Sequence, residues 1–205
     1  MIQGIDVSRW QGNIDFNLVK KYGINFVIVK AGGSDSGFYE DKNFRKNVDD
    51  AHQAGLNVGA YYFVGPGCKS TAAGLADAMR FEDLLKGRKF EYPVYIDFEA
   101  PGRDNKQGNT DACVAFCEYM ESIGYYVGIY ASDISGFKDR LYLDQLRSYD
   151  KWVARYGSTP KYVNSYGIWQ KTSSGVVPGI NGRVDLDESK NDYPAIMIKH
   201  HLNGF

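Results

Sequence analysis

The sequence predicts an α/β fold, an incomplete barrel of eight strands in which five βα units precede three strands joined by loops. Three observations predict it. Glycines that close helices recur just before apolar strand segments, at Gly23-Ile24-Asn25-Phe26, Gly55-Leu56-Asn57-Val58 and Gly124-Tyr125-Tyr126-Val127, and Gly87 closes a further helix. A glycine at this position takes the left-handed conformation cheaply, and the apolar residue after it packs back on the last turn. Gly23, Gly55 and Gly87 are spaced 32 residues apart, the length of a βα unit, and repeated βα units imply a parallel sheet or barrel. Beyond the fifth unit, strand patterns continue without long helices. Eight strands thus fit into 205 residues, fewer than the roughly 250 of a complete (β/α)8 barrel.

In chain order, Ile2 to Val7 reads as the first strand and ends in the turn Asp6-Val7-Ser8-Arg9-Trp10-Gln11-Gly12. Asp15 to Tyr22 is a short helix capped by Asp15. Asn25 to Ala31 contains Phe26-Val27-Ile28-Val29, too apolar for a strand with a solvated face, so it is buried on both. Helices follow at 40–54 and 70–86, with a strand from Leu56 to Phe63 between them. The strand Pro93 to Glu99 precedes a Gly/Asp/Asn loop, a helix over 109–123 and a fifth strand over 126–131. Leu141 to Leu146 has room only for a short helix. The last three strands are 151–156, 167–170 and 183–186; the gaps between them hold Pro160, Pro178 and several Gly and Ser, which mark turns and loops. An open doubly wound sheet is the alternative, but no GxGxxG or phosphate-binding loop follows a strand.

Composition narrows the function classes. With 43% hydrophobic and 24% charged residues the chain suits one globular domain, assigned to residues 1–188, with 189–205 as a short tail that contains no separate domain. The tail is expected to be a partner-binding strand or a boundary segment. A formal net charge of −1 and no Lys/Arg run longer than a pair make nucleic acid an unsuitable partner, and no stretch has the apolar length of a membrane span. Oligomerisation has no signal, so a monomer is the default. Cys68, Cys113 and Cys117 are an odd count, and Cys113 and Cys117 lie four apart on a helix, so free buried thiols are expected. Met1 leads straight into a strand pattern with no signal-like segment. Synthesis without a cleavable signal, and action after release, is the expectation.

The candidate chemistry lies in Pro93-Val94-Tyr95-Ile96-Asp97-Phe98-Glu99. Alternation turns Val94, Ile96 and Phe98 one way, and Tyr95, Asp97 and Glu99 the other. Two carboxylates then share a face, their Cα atoms roughly 6.5–7 Å apart. Burying both is costly unless something compensates, and acids so placed either cap the next helix or serve a site. In a barrel the strand C-terminal ends build the site, so Asp6, Asp97, Glu99 and Asp185 converge. No strand end offers a histidine: His52 lies on a helix, and His200 and His201 in the tail. Zinc ligation and Ser-His or Cys-His acyl transfer therefore lack their imidazole, whereas Mg²⁺ on oxygen ligands stays open. Neighbouring acids also suit glycoside hydrolysis, which needs one protonated and one ionised carboxyl.

Seven segments in order carry a resemblance: Gly4-Ile5-Asp6-Val7-Ser8 with Trp10-Gln11-Gly12, Gly59-Ala60-Tyr61-Tyr62-Phe63, Asp97-Phe98-Glu99, Gly128-Ile129-Tyr130, Trp152-Val153-Ala154-Arg155-Tyr156, Ile168-Trp169-Gln170 and Val184-Asp185-Leu186-Asp187. Together they resemble the glycoside hydrolase family 25 muramidases, the Chalaropsis-type lysozymes of phage endolysins and bacterial autolysins. The resemblance implies a TIM-like (β/α)5(β)3 barrel. It also implies hydrolysis, without a cofactor or metal, of the β-1,4 bond between N-acetylmuramic acid and N-acetylglucosamine in peptidoglycan; the free cysteines and the absence of a signal-like segment make release by phage or prophage lysis the expectation.

By the same resemblance Glu99 is the general acid, and Asp97 stabilises the intermediate through the substrate's N-acetyl group or acts as nucleophile. Asp6 and Asp185 flank them. Tyr61, Tyr62 and Tyr130 end strands and either bond the acetamido group or fill the barrel; Trp152 and Trp169 either stack on sugar rings or pack. Trp10 is expected to pack, Asp187 lies outward of Asp185 or faces the site, and Asp35, Asp104 and Asp133 are taken as solvated. Where many relatives carry an acid after the second strand, this chain has Ala31-Gly32-Gly33. The alternatives are a Mg²⁺-dependent phosphohydrolase, a non-catalytic glycan-binding barrel and a chitinase-like N-acetylglucosaminidase.

Overall fold

The computed structural model describes residues 1–205. Its elements are β1 (Ile2–Val7), α1 (Phe16–Lys21), β2 (Phe26–Gly33), the two-residue β3 (Tyr39–Glu40), α2 (Phe44–Gln53), β4 (Asn57–Phe63), α3 (Thr71–Leu85), β5 (Val94–Asp97), α4 (Lys106–Ser122), β6 (Val127–Ser132), β7 (Asp150–Ala154), β8 (Ile168–Gly175), β9 (Val184–Ser189) and α5 (Tyr193–His200). Around the barrel the order is β1, β9, β8, β7, β6, β5, β4, β2, and β2 pairs back onto β1 to close it. All neighbours are parallel except β9, which runs antiparallel to both β1 and β8. The strands close completely. What is incomplete is the outer helical ring, because β7, β8 and β9 are joined by loops.

The expected helix-closing glycines are present as such: Gly23, Gly55, Gly87 and Gly124 have φ of 107°, 76°, 76° and 89°. After β6 the chain departs from expectation. It makes a wide π-helical turn over Asp133–Lys138 and a 3-10 turn over Leu143–Leu146 in place of one short helix. Asp133 is buried, with its carboxylate accepting from Arg155 Nη1 at 2.8 Å and from the backbone N–H groups of residues 161, 162 and 163. It is thus a structural anchor and not a solvated loop acid. The three cysteines are free and buried, as expected.

Strand alternation sorts the core into two layers. Phe26 and Ile28 point into the barrel, while Val27 and Val29 pack outward with Phe44 and Val48 of α2. This explains why β2 reads as a continuous apolar run. The interior layer is aromatic, with Phe26 stacked on Tyr92 at 4.2 Å and Trp152 packed among Tyr61, Tyr95 and Tyr130.

The tail is not a strand. Asp192 caps α5 with its carboxylate, Pro194 occupies the first turn, and Tyr193 and Met197 are fully buried in the interior cluster. The Tyr193 hydroxyl bonds to Asp150 on β7, and Asn203 donates to Tyr92 O at 2.9 Å and accepts from Tyr126 N at 2.7 Å. Residues beyond 189 therefore close the floor of the barrel, opposite the strand ends where the acids lie.

Candidate active site

At the C-terminal end of the barrel, β5 finishes at Asp97. Phe98 N still bonds to Tyr130 O at 2.9 Å, which keeps the chain extended for two more residues. Phe98 is buried in the outer core, so Asp97 and Glu99 share the inner side as alternation predicts. Asp6 and Asp185 are directly opposite partners in the β1–β9 ladder. A cavity of about 200 Å³ is lined by Asp6, Tyr61, Asp97, Glu99, Tyr130, Trp152, Tyr156, Gln170 and Asp185. A second, of about 390 Å³, opens beside it over the ends of β6 and β7, shares Glu99, Tyr130 and Tyr156, and adds Arg103, Asp139 and Arg155. Glu99 stands at their junction.

The four acids predicted to converge do so. Asp97 is 5% exposed; burial, then the charge of Glu99, pushes its pKa well up, with Lys30 pulling the other way. Its Oδ1 is buried without a hydrogen-bond partner. Glu99 is exposed to the groove, yet the protein around its carboxyl displaces enough water to raise its pKa, partly offset by Lys30 and Arg140. Burial raises Asp185 to about 6, and Glu99 adds to the effect. Asp6 is raised by burial and by the neighbouring Asp187 and Asp185.

Gln170 links this cluster. Its Oε1 accepts from Tyr130 at 2.8 Å and Tyr156 at 3.0 Å, and its Nε2 donates to Asp6 Oδ2 at 2.8 Å. Tyr61 and Tyr130 line the cavity. Tyr62 does not: it points outward, donates to Asp77 at 3.3 Å and packs on Phe81 and Phe116, because adjacent strand residues face opposite sides. Trp152 is on the floor and 1% exposed, its ring covered by tyrosines, so it supports the site without offering a face to a sugar. Trp169 lies outside the cavity, with Nε1 bonded to Arg155 O at 2.8 Å. Trp10, expected to pack, is 78% exposed.

Sequence reasoning left out three contributors, Gln170, Tyr156 and Lys30, and left open the direction of Asp187. Asp187 is fully buried, two residues from Asp185 on one face of β9; it accepts from Trp152 Nε1 at 2.8 Å and neighbours Asp6 closely enough to hydrogen-bond. Burial raises it to about 8. Lys30 had a signal, being the one charge at the end of an apolar strand and in register with the inward Phe26 and Ile28. No group of three or more His, Cys, Asp or Glu is arranged to hold a metal ion, and no helix is long and apolar enough to cross a membrane.

Comparison with known proteins gives the family and the fold. The profile of glycosyl hydrolases family 25 matches residues 5–180. The chain is 42% identical over 206 residues to lysozyme M1 of Streptomyces globisporus, covering 91% of this chain and 67% of that protein. It is 30% identical over 188 residues to the autolytic lysozyme of Clostridium acetobutylicum, covering 91% and 55%. The chain thus spans about half to two thirds of the length of these relatives. Among solved structures, the CTP1L endolysin superposes with a TM-score of 0.84 at 27% identity, covering 97% of this chain and 70% of that one. A family 25 glycosyl hydrolase from Bacillus anthracis gives 0.78 at 26%, covering 93% and 89%. With a profile match over most of its length and the acids set at the strand ends of a closed barrel, the chain belongs to glycosyl hydrolases family 25.

Proposed function

We propose that the protein is an N-acetylmuramidase that cuts the β-1,4 bond between N-acetylmuramic acid and N-acetylglucosamine in peptidoglycan. The observation that carries this reading is the Asp97/Glu99 pair, held on one side of the chain at the mouth of an acid-lined cavity, with the Asp97 Oδ1 buried and unpartnered. Burial raises the Glu99 pKa and so favours its protonated form, the form a general acid requires. Glu99 gives its proton to the leaving glycosidic oxygen as the C1–O bond breaks. The substrate's own acetamido oxygen closes on C1 from the other face. Asp97 accepts from the acetamido N–H through its partnerless Oδ1, a buried acceptor that a substrate donor would satisfy. Water then attacks C1, the bond from C1 to the acetamido oxygen breaks to restore the acetamido group, and Glu99, now the base, takes the water's proton. Asp6, fixed by Gln170, and Asp185 line the sugar site, and Tyr130 borders it.

The product ends test this. Digestion of purified peptidoglycan, borohydride reduction and mass spectrometry should show new reduced muramic acid ends with the wild type. Glu99→Gln should lower kcat/KM by roughly 10²–10⁴-fold. Reduced glucosamine ends would transfer the reading to an N-acetylglucosaminidase. Absence of new ends with folded protein on several walls would leave a glycan-binding barrel, and loss of activity to a chelator would favour the Mg²⁺-dependent class. The wall glycan is the proposed partner and the cell wall the proposed place of action, after release by lysis.

A further inference from the structure

One exposed group on the β1–β2 rim has no part in the scheme above. Trp10 follows β1, the strand that supplies Asp6, and single exposed apolar residues are ordinary on protein surfaces. Its surroundings are not ordinary. The turn Arg9–Gln11 is locked: Ser8 Oγ accepts from Trp10 N at 3.2 Å, Gln11 Oε1 from Ser8 N at 2.9 Å, and Asp41 Oδ2 from Arg9 N at 3.1 Å. Asn43 also donates to Gly12 O at 3.1 Å. The backbone that carries the indole is therefore fixed from both sides.

A ladder of alternating rings and cations leads from this ring to the cavity. The Arg9 guanidinium lies 5.1 Å from the Trp10 ring and 5.6 Å from the Tyr39 ring. Lys30 Nζ lies 5.8 Å from Tyr39 and 5.8 Å from Tyr61, which lines the cavity. Arg9 makes no ion pair, whereas Arg45, Lys46, Lys69 and Arg88 each have a carboxylate partner. A flat exposed face beside an unpaired guanidinium suits a ligand with apolar sugar faces and carboxylates.

We propose that Trp10, Arg9 and Tyr39 form a second sugar-binding platform, which holds the N-acetylated glycan strand beyond the central cavity with a muramyl carboxylate on Arg9. This rests on the reading of the cavity as a glycan-cleaving site. The second cavity, over β6 and β7, takes the strand on the far side of Glu99, so the platform supplies the near arm.

The test compares peptide-free glycan strands with a tetrasaccharide of the same repeat. For Trp10→Ala the ratio of kcat/KM on long strands to that on the tetrasaccharide should fall roughly three- to tenfold, the loss expected for one aromatic contact, and Trp10→Tyr should restore most of it. In Glu99→Gln protein, long strands should shield tryptophan fluorescence from iodide; the same protein carrying Trp10→Phe should lose that shielding. An unchanged ratio in folded Trp10→Ala, or no shielding attributable to Trp10, overturns the platform. Failure of the catalytic reading shows separately, as undiminished hydrolysis by Glu99→Gln.

Discussion

The Trp152 indole donates to Asp187 Oδ1 at 2.8 Å, tying β7 to β9 beneath the acids. The bond also sets the depth of the cavity, since Trp152 forms its floor and Asp187 lies against Asp6. Trp152→Ala should cost about 3–5 kcal/mol as a large core truncation. Trp152→Phe keeps most of the packing but strips Asp187 of its donor, which should cost about 1–3 kcal/mol. Urea denaturation of the two variants separates the contributions.

Stability should fall as pH rises. Asp185 and Asp187 have folded pKa values of about 6 and about 8 against an ordinary 3.8, so the folded state holds protons that the unfolded chain has released. Their favourable contribution is full below the unfolded value and is lost as pH passes first the Asp185 and then the Asp187 value. Thermal melts should show Tm declining across this window, and Asp187→Asn should flatten its upper part. A wild-type Tm that rises between about pH 6 and 8 while the Asn variant follows in parallel would contradict the assignment.

Activity should show a basic limb governed by Glu99. Its pKa is raised by burial, so kcat/KM should decline as pH rises through that value and the acid is lost. Removing the Lys30 charge with Lys30→Met takes away a cation that favours the ionised form, so the limb should move to higher pH. A pH–rate profile of each protein reads this directly.

Adjacent tyrosines should behave oppositely. Tyr62→Phe loses the hydroxyl's hydrogen bonding to Asp77 in the outer core and should cost about 0.5–1.5 kcal/mol of stability with kcat/KM unchanged. Tyr130→Phe breaks the bond to Gln170 beside Asp6 and should lower kcat/KM. Equal loss of activity in the two variants would refute the placement.

Truncating the floor should destabilise the whole barrel. Met197→Ala removes a fully buried side chain from the interior cluster, and should cost about 2–5 kcal/mol in a chemical denaturation curve. A loss confined to fraying of α5 would show instead that the helix is an appendage.

Much of this was legible in the sequence because it follows from local rules. Glycine at helix ends and the period of two in strands located the βα units, and alternation put Asp97 and Glu99 on one side before any contact was known. The α5 helix was also legible in principle, from Asp192 as cap and Pro194 in the first turn, but an apolar stretch of eight residues fits helix and strand alike. Tyr61 and Tyr62 were indistinguishable as strand-end tyrosines until the inward face was fixed, and Trp169 likewise beside Gln170.

By itself the sequence determined the order of the eight barrel strands and of the helices α1 to α4 between them, since capping, turn chemistry and alternation act between near neighbours in the chain. Only the closed barrel decided which face of each strand is the interior, which rings are covered, and which acids meet. Asp187 and Asp6 lie 181 residues apart, and Gln170 reaches Asp6 across 164; such contacts exist because β9 runs antiparallel between β8 and β1, a pairing that no local signal specifies.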